Sequence, residues 1–341
     1  MKSNRLYMIY AILLALLIAC QLSTLTLTPT SIPTLPAALS PTSTSTFVPT
    51  IALTPTSTNT LSPTETPLPA IRRVIILSID GLRPDAIALA PMPNLMALMQ
   101  TSAFSLSAQT VLPSVTLVSH SSMLVGVCPS KHGVDWNDYI PENGFAIGTD
   151  LFDLAHAAGL QTVMYVGKEK LQQVTEPASL DKFVYVNDRD LVLMQRLIAE
   201  FPQDFDVLFI HLPLVDGMGH VYGWLSPEQL SVAIRADEAL GQLLAELDAR
   251  GLRGETLIII SADHGGHSTT HGSSLPEDMT IPWIASGPGI QPTQLTTQVH
   301  TMDTAATAAF ALGLPLPPEW DGVPVYEAFG LPVSRQSVAC Q

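Results

Sequence analysis

Val74-Ile75-Ile76-Leu77-Ser78-Ile79-Asp80-Gly81 is the stretch on which the fold turns. Apolar residues follow one another without alternation, broken only by Ser78, and most are β-branched. A run of this kind reads as a strand covered on both faces, and it stops at an aspartate followed by a glycine. Runs at 162–166, 206–211 and 256–260 repeat the pattern, and 282–285 adds a fifth strand. Helical patterns lie between them, at 94–101, at about 150–158 before Gly159, and in a long segment opened by Ser226-Pro227-Glu228. A hydroxyl, a proline and an acid in that order suit the free N–H groups and positive end of a helix. Leu230, Ile234, Leu240, Leu244 and Leu247 give this helix its apolar stripe. A last helix at about 303–312 closes at Gly313 and Pro315. Strand and helix in alternation predict an α/β domain, with one mostly parallel sheet flanked by helices on both faces.

That domain is expected over 71–330, followed by a short tail at 331–341. Upstream, Lys2 and Arg5 precede an apolar run from Met8 to Ala19, the layout of an export signal. The run is short for a membrane span of about 20 residues. It ends in Leu17-Ile18-Ala19-Cys20, which resembles a bacterial lipoprotein box and implies a lipid anchor at Cys20 in residues 1–20. Residues 21–70 are Thr, Ser, Pro, Leu and Ala with almost no charge, so they read as a disordered stalk holding the domain off a membrane. These features predict an extracytoplasmic, surface-anchored protein. A net charge of −15, from 15 basic and 30 acidic residues, argues against a nucleic-acid-binding surface. Spacing alone does not decide whether Cys128 and Cys340 pair.

Three strands end in acid: Asp80 after the first, Asp216 beyond the third, Asp263 after the fourth. In an open parallel sheet the loops past the carboxyl ends of strands converge on one crevice. Carboxylates gathered there repel one another unless a cation neutralises them. Histidines accompany them in Asp216-Gly217-Met218-Gly219-His220, Asp263-His264-Gly265-Gly266 and His271-Gly272. Asp and neutral His together suit Zn²⁺ or a related divalent ion. Leu112-Pro113-Ser114-Val115-Thr116 sets Thr116 at the start of a helical pattern, where free N–H groups favour an anion. Taken alone, Thr116 reads as a helix cap.

The ordered set changes that reading. Ile79-Asp80-Gly81, the Thr116 segment with Gly126-Val127-Cys128-Pro129-Ser130-Lys131-His132-Gly133, Asp216 to His220, Asp263-His264-Gly265 and His271-Gly272 stand in an order that resembles the alkaline phosphatase superfamily. The match is closest to its nucleotide pyrophosphatase/phosphodiesterase branch and spans about 74–323. The resemblance implies an alkaline phosphatase-like fold and two zinc ions. Asp80, Asp263 and His264 would hold one, with the Thr116 oxygen beside it, and Asp216, His220 and His271 the other. It further implies hydrolysis of a phosphodiester or pyrophosphate, on a small nucleotide-like substrate, in two steps through a phosphothreonine on Thr116. Ser119, three residues past the nucleophile, is the position expected to bind a phosphate oxygen.

Other readings share the core. A phosphomonoesterase or phosphonate hydrolase would use the same metals and a hydroxyl nucleophile. A sulfatase needs a proline two residues after its modified cysteine and then an arginine, and Cys128-Pro129-Ser130-Lys131 has neither in place. A surface protein that binds without turnover would be expected to lack a ligand or the nucleophile, and this sequence has the full set. His120, His132 and His211 are expected to support the site rather than to bind metal, since ligands need orienting partners.

Overall fold

The run beginning at Val74 is buried residue after residue in strand β1 (Arg73–Ile79). The computed structural model describes residues 71–340. The expected signal with Cys20, the stalk at 21–70, and Gln341 lie outside the described residues. The other strands are β2 (Ala103–Gln109), β3 (Thr162–Val166), β4 (Lys182–Tyr185), β5 (Val207–Leu212), β6 (Thr256–Ser261), β7 (Thr280–Ser286) and β8 (Thr293–Gln294). They form one sheet in the order β4-β3-β5-β1-β6-β7-β2-β8. β7 pairs antiparallel with both its neighbours and every other pairing is parallel. β1, β5 and β6 are apolar and buried almost throughout, as central strands covered on both faces must be.

The five expected strands are present within two residues of their predicted limits. β2, β4 and β8 lack the signal that marked the others. β2 reads Ala-Phe-Ser-Leu-Ser-Ala-Gln, with small and polar residues where the central strands carry Val and Ile, and β8 is two residues long. Helices Pro84–Leu89 and Asp190–Ala199 were likewise not expected.

The long helix runs Pro227–Ala249, with the Ser226 hydroxyl accepting from the Gln229 N–H at 3.2 Å. Its buried stripe is displaced from the expected one. Leu240 and Leu247 are buried, but Leu230, Ile234 and Leu244 are only partly so, and Val232, Ala233, Ala236 and Asp237 face inward. The reason is the small helix Pro93–Met99 packed across it: a side chain at Gly241 would sit 2.7 Å from the Asn94 amide. Asp237 accepts from the Leu95 N–H at 2.8 Å, the Asn94 N–H at 3.1 Å and the Asn94 amide at 2.9 Å. An apolar-periodicity argument leaves no room for a buried acid, which is why the stripe was misplaced.

The C-terminal tail is stitched to this body. Cys340 forms a disulfide with Cys128, and the Ser337 hydroxyl meets Asp303 Oδ2 at 2.8 Å and His300 Nδ1 at 2.7 Å. Among the described residues no helix is long and apolar enough to cross a membrane.

Asp237→Leu should destabilise the domain by about 2–4 kcal/mol, because several buried donors lose a charged acceptor; a denaturant midpoint equal to wild type would contradict this. Asp150, the N-cap of helix Leu151–Ala157, offers a pH test. Burial, then the neighbouring Asp153 carboxylate, pushes its carboxyl up to about 7. The native state keeps that proton up to about pH 7, whereas an unfolded aspartate loses it near about 3.9. This group therefore makes stability fall as pH rises between the two values. Asp150→Asn keeps the cap acceptor, so its stability relative to wild type should rise between pH 5 and pH 8 in thermal melts. A pH-independent difference would contradict the assignment.

Candidate metal centre

Sheet order brings the carboxyl ends of β3, β5, β1 and β6 side by side. Lys168 follows β3, helix Leu214–Tyr222 follows β5, Asp80 follows β1, and Asp263-His264 follow β6. Asp80, Asp263 and His264, all buried, form one group, and Asp216, His220 and His271 form a second; within each the candidate ligand atoms lie within 4.8 Å of one another. Asp216 and His220 stand four apart on a helix, which puts both on one face. The Leu214 N–H at the start of that helix is held by Asp190 Oδ1 at 3.1 Å.

The orientation of each side chain is fixed from behind. Backbone carbonyls lie at the Nδ1 of all three histidines: Gly265 O on His264 at 2.8 Å, Thr269 O on His220 at 3.0 Å, and Ser114 O on His271 at 2.8 Å. A carbonyl only accepts, so each Nδ1 carries the proton and each Nε2 presents a lone pair. The Nε2 atoms of His220 and His271 are 3.1 Å apart, both acceptors in that tautomer. Two lone pairs at that distance repel, and a cation beside them removes the conflict.

The carboxylates are divided in the same way. Asp80 Oδ2 meets His211 Nε2 at 2.8 Å and Lys168 Nζ at 2.7 Å, Asp216 Oδ2 meets Lys168 Nζ at 2.6 Å, and Asp263 Oδ1 accepts from the Gly81 N–H at 3.1 Å. Their other oxygens, Asp80 Oδ1, Asp216 Oδ1 and Asp263 Oδ2, are buried without a hydrogen-bond partner, as is His264 Nε2. An unpartnered buried polar atom is costly. These four belong to the two groups and all are good divalent-ion donors, so the residues present fit two cations.

Charges follow the geometry. Burial pushes the Asp80 carboxyl up, but Lys168 and His211 outweigh it and hold it well below the usual range. Burial disfavours a charged His264, yet the surrounding Asp263, Asp80 and Asp216 raise it on balance. Burial pushes His120 down to about 4, which keeps it a neutral ring between the Ser78 hydroxyl, at 2.8 Å from Nε2, and the Thr116 carbonyl, at 2.7 Å from Nδ1. Close backbone packing completes the frame: a side chain at Gly265 would lie 2.0 Å from the Glu277 carbonyl.

Thr116 is the first residue of helix Thr116–Val125, and the N-cap is Val115, which makes no side-chain cap. The Thr116 hydroxyl is therefore not spent as a cap; it accepts from Lys168 Nζ at 3.2 Å. Ser119, one helical turn beyond Thr116, is fully buried and its hydroxyl accepts from Thr110 Oγ1 at 3.1 Å. Asn137 lies beside the start of the Thr116 helix, its Oδ1 accepting from the Leu117 N–H at 2.9 Å and from Lys170 Nζ at 3.0 Å. Its Nδ2 is the end left to donate. Asn137 and Lys168 went unassigned in the sequence because neither stands in a motif that marks its chemistry; β3 ending at Val166 was the available sign for Lys168. Trp224 is wedged against Gly219 and Gly266, its ring edge-on to His220 and His271 and its Nε1 donating to the Gly81 carbonyl at 2.9 Å.

Residues 74–282 match the sequence profile described as type I phosphodiesterase/nucleotide pyrophosphatase. An uncharacterized pyrophosphatase/phosphodiesterase of Schizosaccharomyces pombe is 25% identical over 217 residues, 56% of this chain and 44% of that protein. The catalytic subunit of human GPI ethanolamine phosphate transferase 2 is 26% identical over 79% of this chain and 29% of its own length. A venom phosphodiesterase of Crotalus durissus collilineatus is 27% identical over 56% of this chain and 26% of its own. The matched segments thus span less than half the length of these curated relatives. Among solved structures, murine ectonucleotide pyrophosphatase/phosphodiesterase 5 superposes with a TM-score of 0.63 at 15% identity, covering 76% of this chain and 99% of that one. Alkaline phosphatase PafA does so with 0.66 at 15%, covering 77% and 100%. The fold is alkaline phosphatase-like.

A ligand that binds only the native state raises its stability. Zn²⁺ should therefore raise the melting temperature of the wild type and raise it less in Asp263→Asn; melting indifferent to Zn²⁺ in both would contradict the cation assignment.

Proposed function

The chain belongs to the type I phosphodiesterase/nucleotide pyrophosphatase family, and from that premise we propose that it hydrolyses phosphoric esters through a phosphothreonine on Thr116. One observation carries the reading. Lys168 Nζ touches the Thr116 hydroxyl and one carboxylate oxygen from each ligand group, so nucleophile and both groups meet at a single point. Asp80, Asp263 and His264 would hold one divalent cation beside the Thr116 oxygen, and Asp216, His220 and His271 the other, with Zn²⁺ the ion such donors favour. When bound, two such ions supply positive charge for the attacking and leaving oxygens of an in-line displacement.

The chain's own groups do the rest. Thr116 stands at a helix N-terminus, a place suited to an anionic phosphoryl group. The Lys168 ammonium favours the deprotonated form of the Thr116 hydroxyl, which then attacks phosphorus as the bond to the leaving oxygen breaks. The Asn137 amide is held by the Leu117 N–H and Lys170 so that Nδ2 can donate to a phosphoryl oxygen. Water attacks the phosphothreonine in the second half and restores Thr116. His211 and His120 keep Asp80 and the Thr116 backbone in place.

Family membership makes phosphodiesters and pyrophosphates, nucleotide-like ones included, the first substrate class to test. A phosphomonoesterase on the same core is the second reading, favoured by the two lysines around Thr116 and Asn137. The site of action is extracytoplasmic, at a membrane reached through a lipid on Cys20. The Cys128–Cys340 disulfide supports an oxidising compartment.

Purified wild type and Thr116→Ala, assayed on an aryl phosphodiester and an aryl phosphomonoester, test the proposal. Turnover should vanish on chelation, return with Zn²⁺, and fall by at least about a thousandfold in the variant. Turnover that survives Thr116→Ala would refute the phosphothreonine route.

A further inference from the structure

We infer that Asp278 is a positioning residue for one cation group only: its carboxylate fixes the loop 267–273 that carries His271 and orients His220, so its loss weakens the Asp216, His220 and His271 site and spares the other. The inference rests on the two-cation reading above and assigns a residue that belongs to neither group. Asp278 lies in the short helix Pro276–Met279, just before β7, and is fully buried. Its Oδ1 accepts from His267 Nδ1 at 2.7 Å. Its Oδ2 accepts from the Ser273 N–H at 2.9 Å and from the Ser273 hydroxyl at 2.7 Å. Burial pushes the Asp278 carboxyl up, but His267 and Ser273 outweigh it and hold it below the ordinary aspartate range. One carboxylate thus ties the first residue of the loop to the last.

What lies between the two ties decides which group depends on them. The Thr269 carbonyl holds His220 Nδ1 at 3.0 Å, and His271 is itself a ligand of that group. His271 Nδ1 is held by the Ser114 carbonyl at 2.8 Å, and the Ser114 hydroxyl donates to the Ser273 carbonyl at 2.9 Å. The support behind His271 is therefore anchored at the residue that Asp278 grips. The other group is built differently. Asp80 and Asp263 follow strands β1 and β6, and His264 is held at Nδ1 by the Gly265 carbonyl. The Gly265 and Gly266 N–H groups donate to the main-chain carbonyls of Asp278 and Glu277, each at 2.8 Å, and these contacts survive any change of the Asp278 side chain. Loss of the carboxylate strands the buried donors of Ser273, which favours a rearranged loop. The charge of Asp278 acts on both groups, whereas its hydrogen bonds act on one, so the two effects are separable.

Calorimetric titration of the chelator-stripped full chain with Zn²⁺ tests the assignment, in wild type, Asp278→Ala, Asp278→Asn, His267→Ala and Ser273→Ala. His220→Ala identifies which binding transition belongs to the group that contains His271. Wild type should take up two Zn²⁺. In the Asp278 variants that one transition should weaken by at least about tenfold, the scale found when an outer partner of a metal ligand is removed, with the other unchanged. Asp278→Asn keeps one acceptor oxygen and should lose less than Asp278→Ala. His267→Ala and Ser273→Ala each cut one tie and should show the same selective loss, which keeps the test decisive if Asp278→Ala does not fold. Phosphoric ester turnover by Asp278→Asn should recover as Zn²⁺ is raised, which a loss of folded protein would not do. Equal weakening at both sites, or affinities unmoved in every variant, would overturn the assignment and leave the two-cation reading standing. Wild type that takes up fewer than two Zn²⁺ would refute that reading and the role of Asp278 with it.

Discussion

Mutual repulsion among Asp80, Asp216 and Asp263 is the constraint around which the site is built. The sheet order brings the ends of β5, β1 and β6 together, and with them three carboxylates that cannot share a buried pocket uncompensated. The structure answers from two sides. Lys168 takes one oxygen of Asp80, shared with His211, and one of Asp216, the Gly81 N–H takes one of Asp263, and the opposite oxygens, buried and unpartnered, turn toward the histidine Nε2 atoms. The carboxylates are thus held in a polarised arrangement by the protein and aimed at cations.

Preorganisation of this kind needs a stiff frame. Every histidine of the two groups is pinned at Nδ1 by a main-chain carbonyl, so ring orientation follows from the backbone. The backbone is in turn held by close packing at Gly265 and by the Trp224 wedge, and the helix bearing Asp216 and His220 is anchored by Asp190. The C-terminal tail is tied to the body by the Cys128–Cys340 link. Positioning and electrostatics are what phosphoryl transfer asks of a protein, and both are visible in how these side chains are held.

Much of this was legible in the sequence, and the reasons for the failures are physical. Central strands announced themselves because burial on both faces demands unbroken apolar runs, and their terminal acids marked the crevice. β2 and β8 did not, because strands near a sheet edge tolerate small and polar residues. The stripe of the long helix was displaced because Asp237 is buried as a hydrogen-bond acceptor, which hydrophobic periodicity cannot register. The six candidate ligands fall into two groups of three, and Ser119 was assigned by its distance along the chain from Thr116. Asn137 reaches the same neighbourhood from a loop beyond the helix, a contact made by folding and not by local spacing.

Acid-quenched single turnover, followed by peptide mapping in a mass spectrometer, tests the central claim most directly. An aryl phosphate mixed with excess zinc-restored enzyme and quenched within the first turnover should leave phosphate on the peptide that contains Thr116, and on that residue. Phenol released without phosphate on any residue, or phosphate found elsewhere than Thr116, would contradict the account.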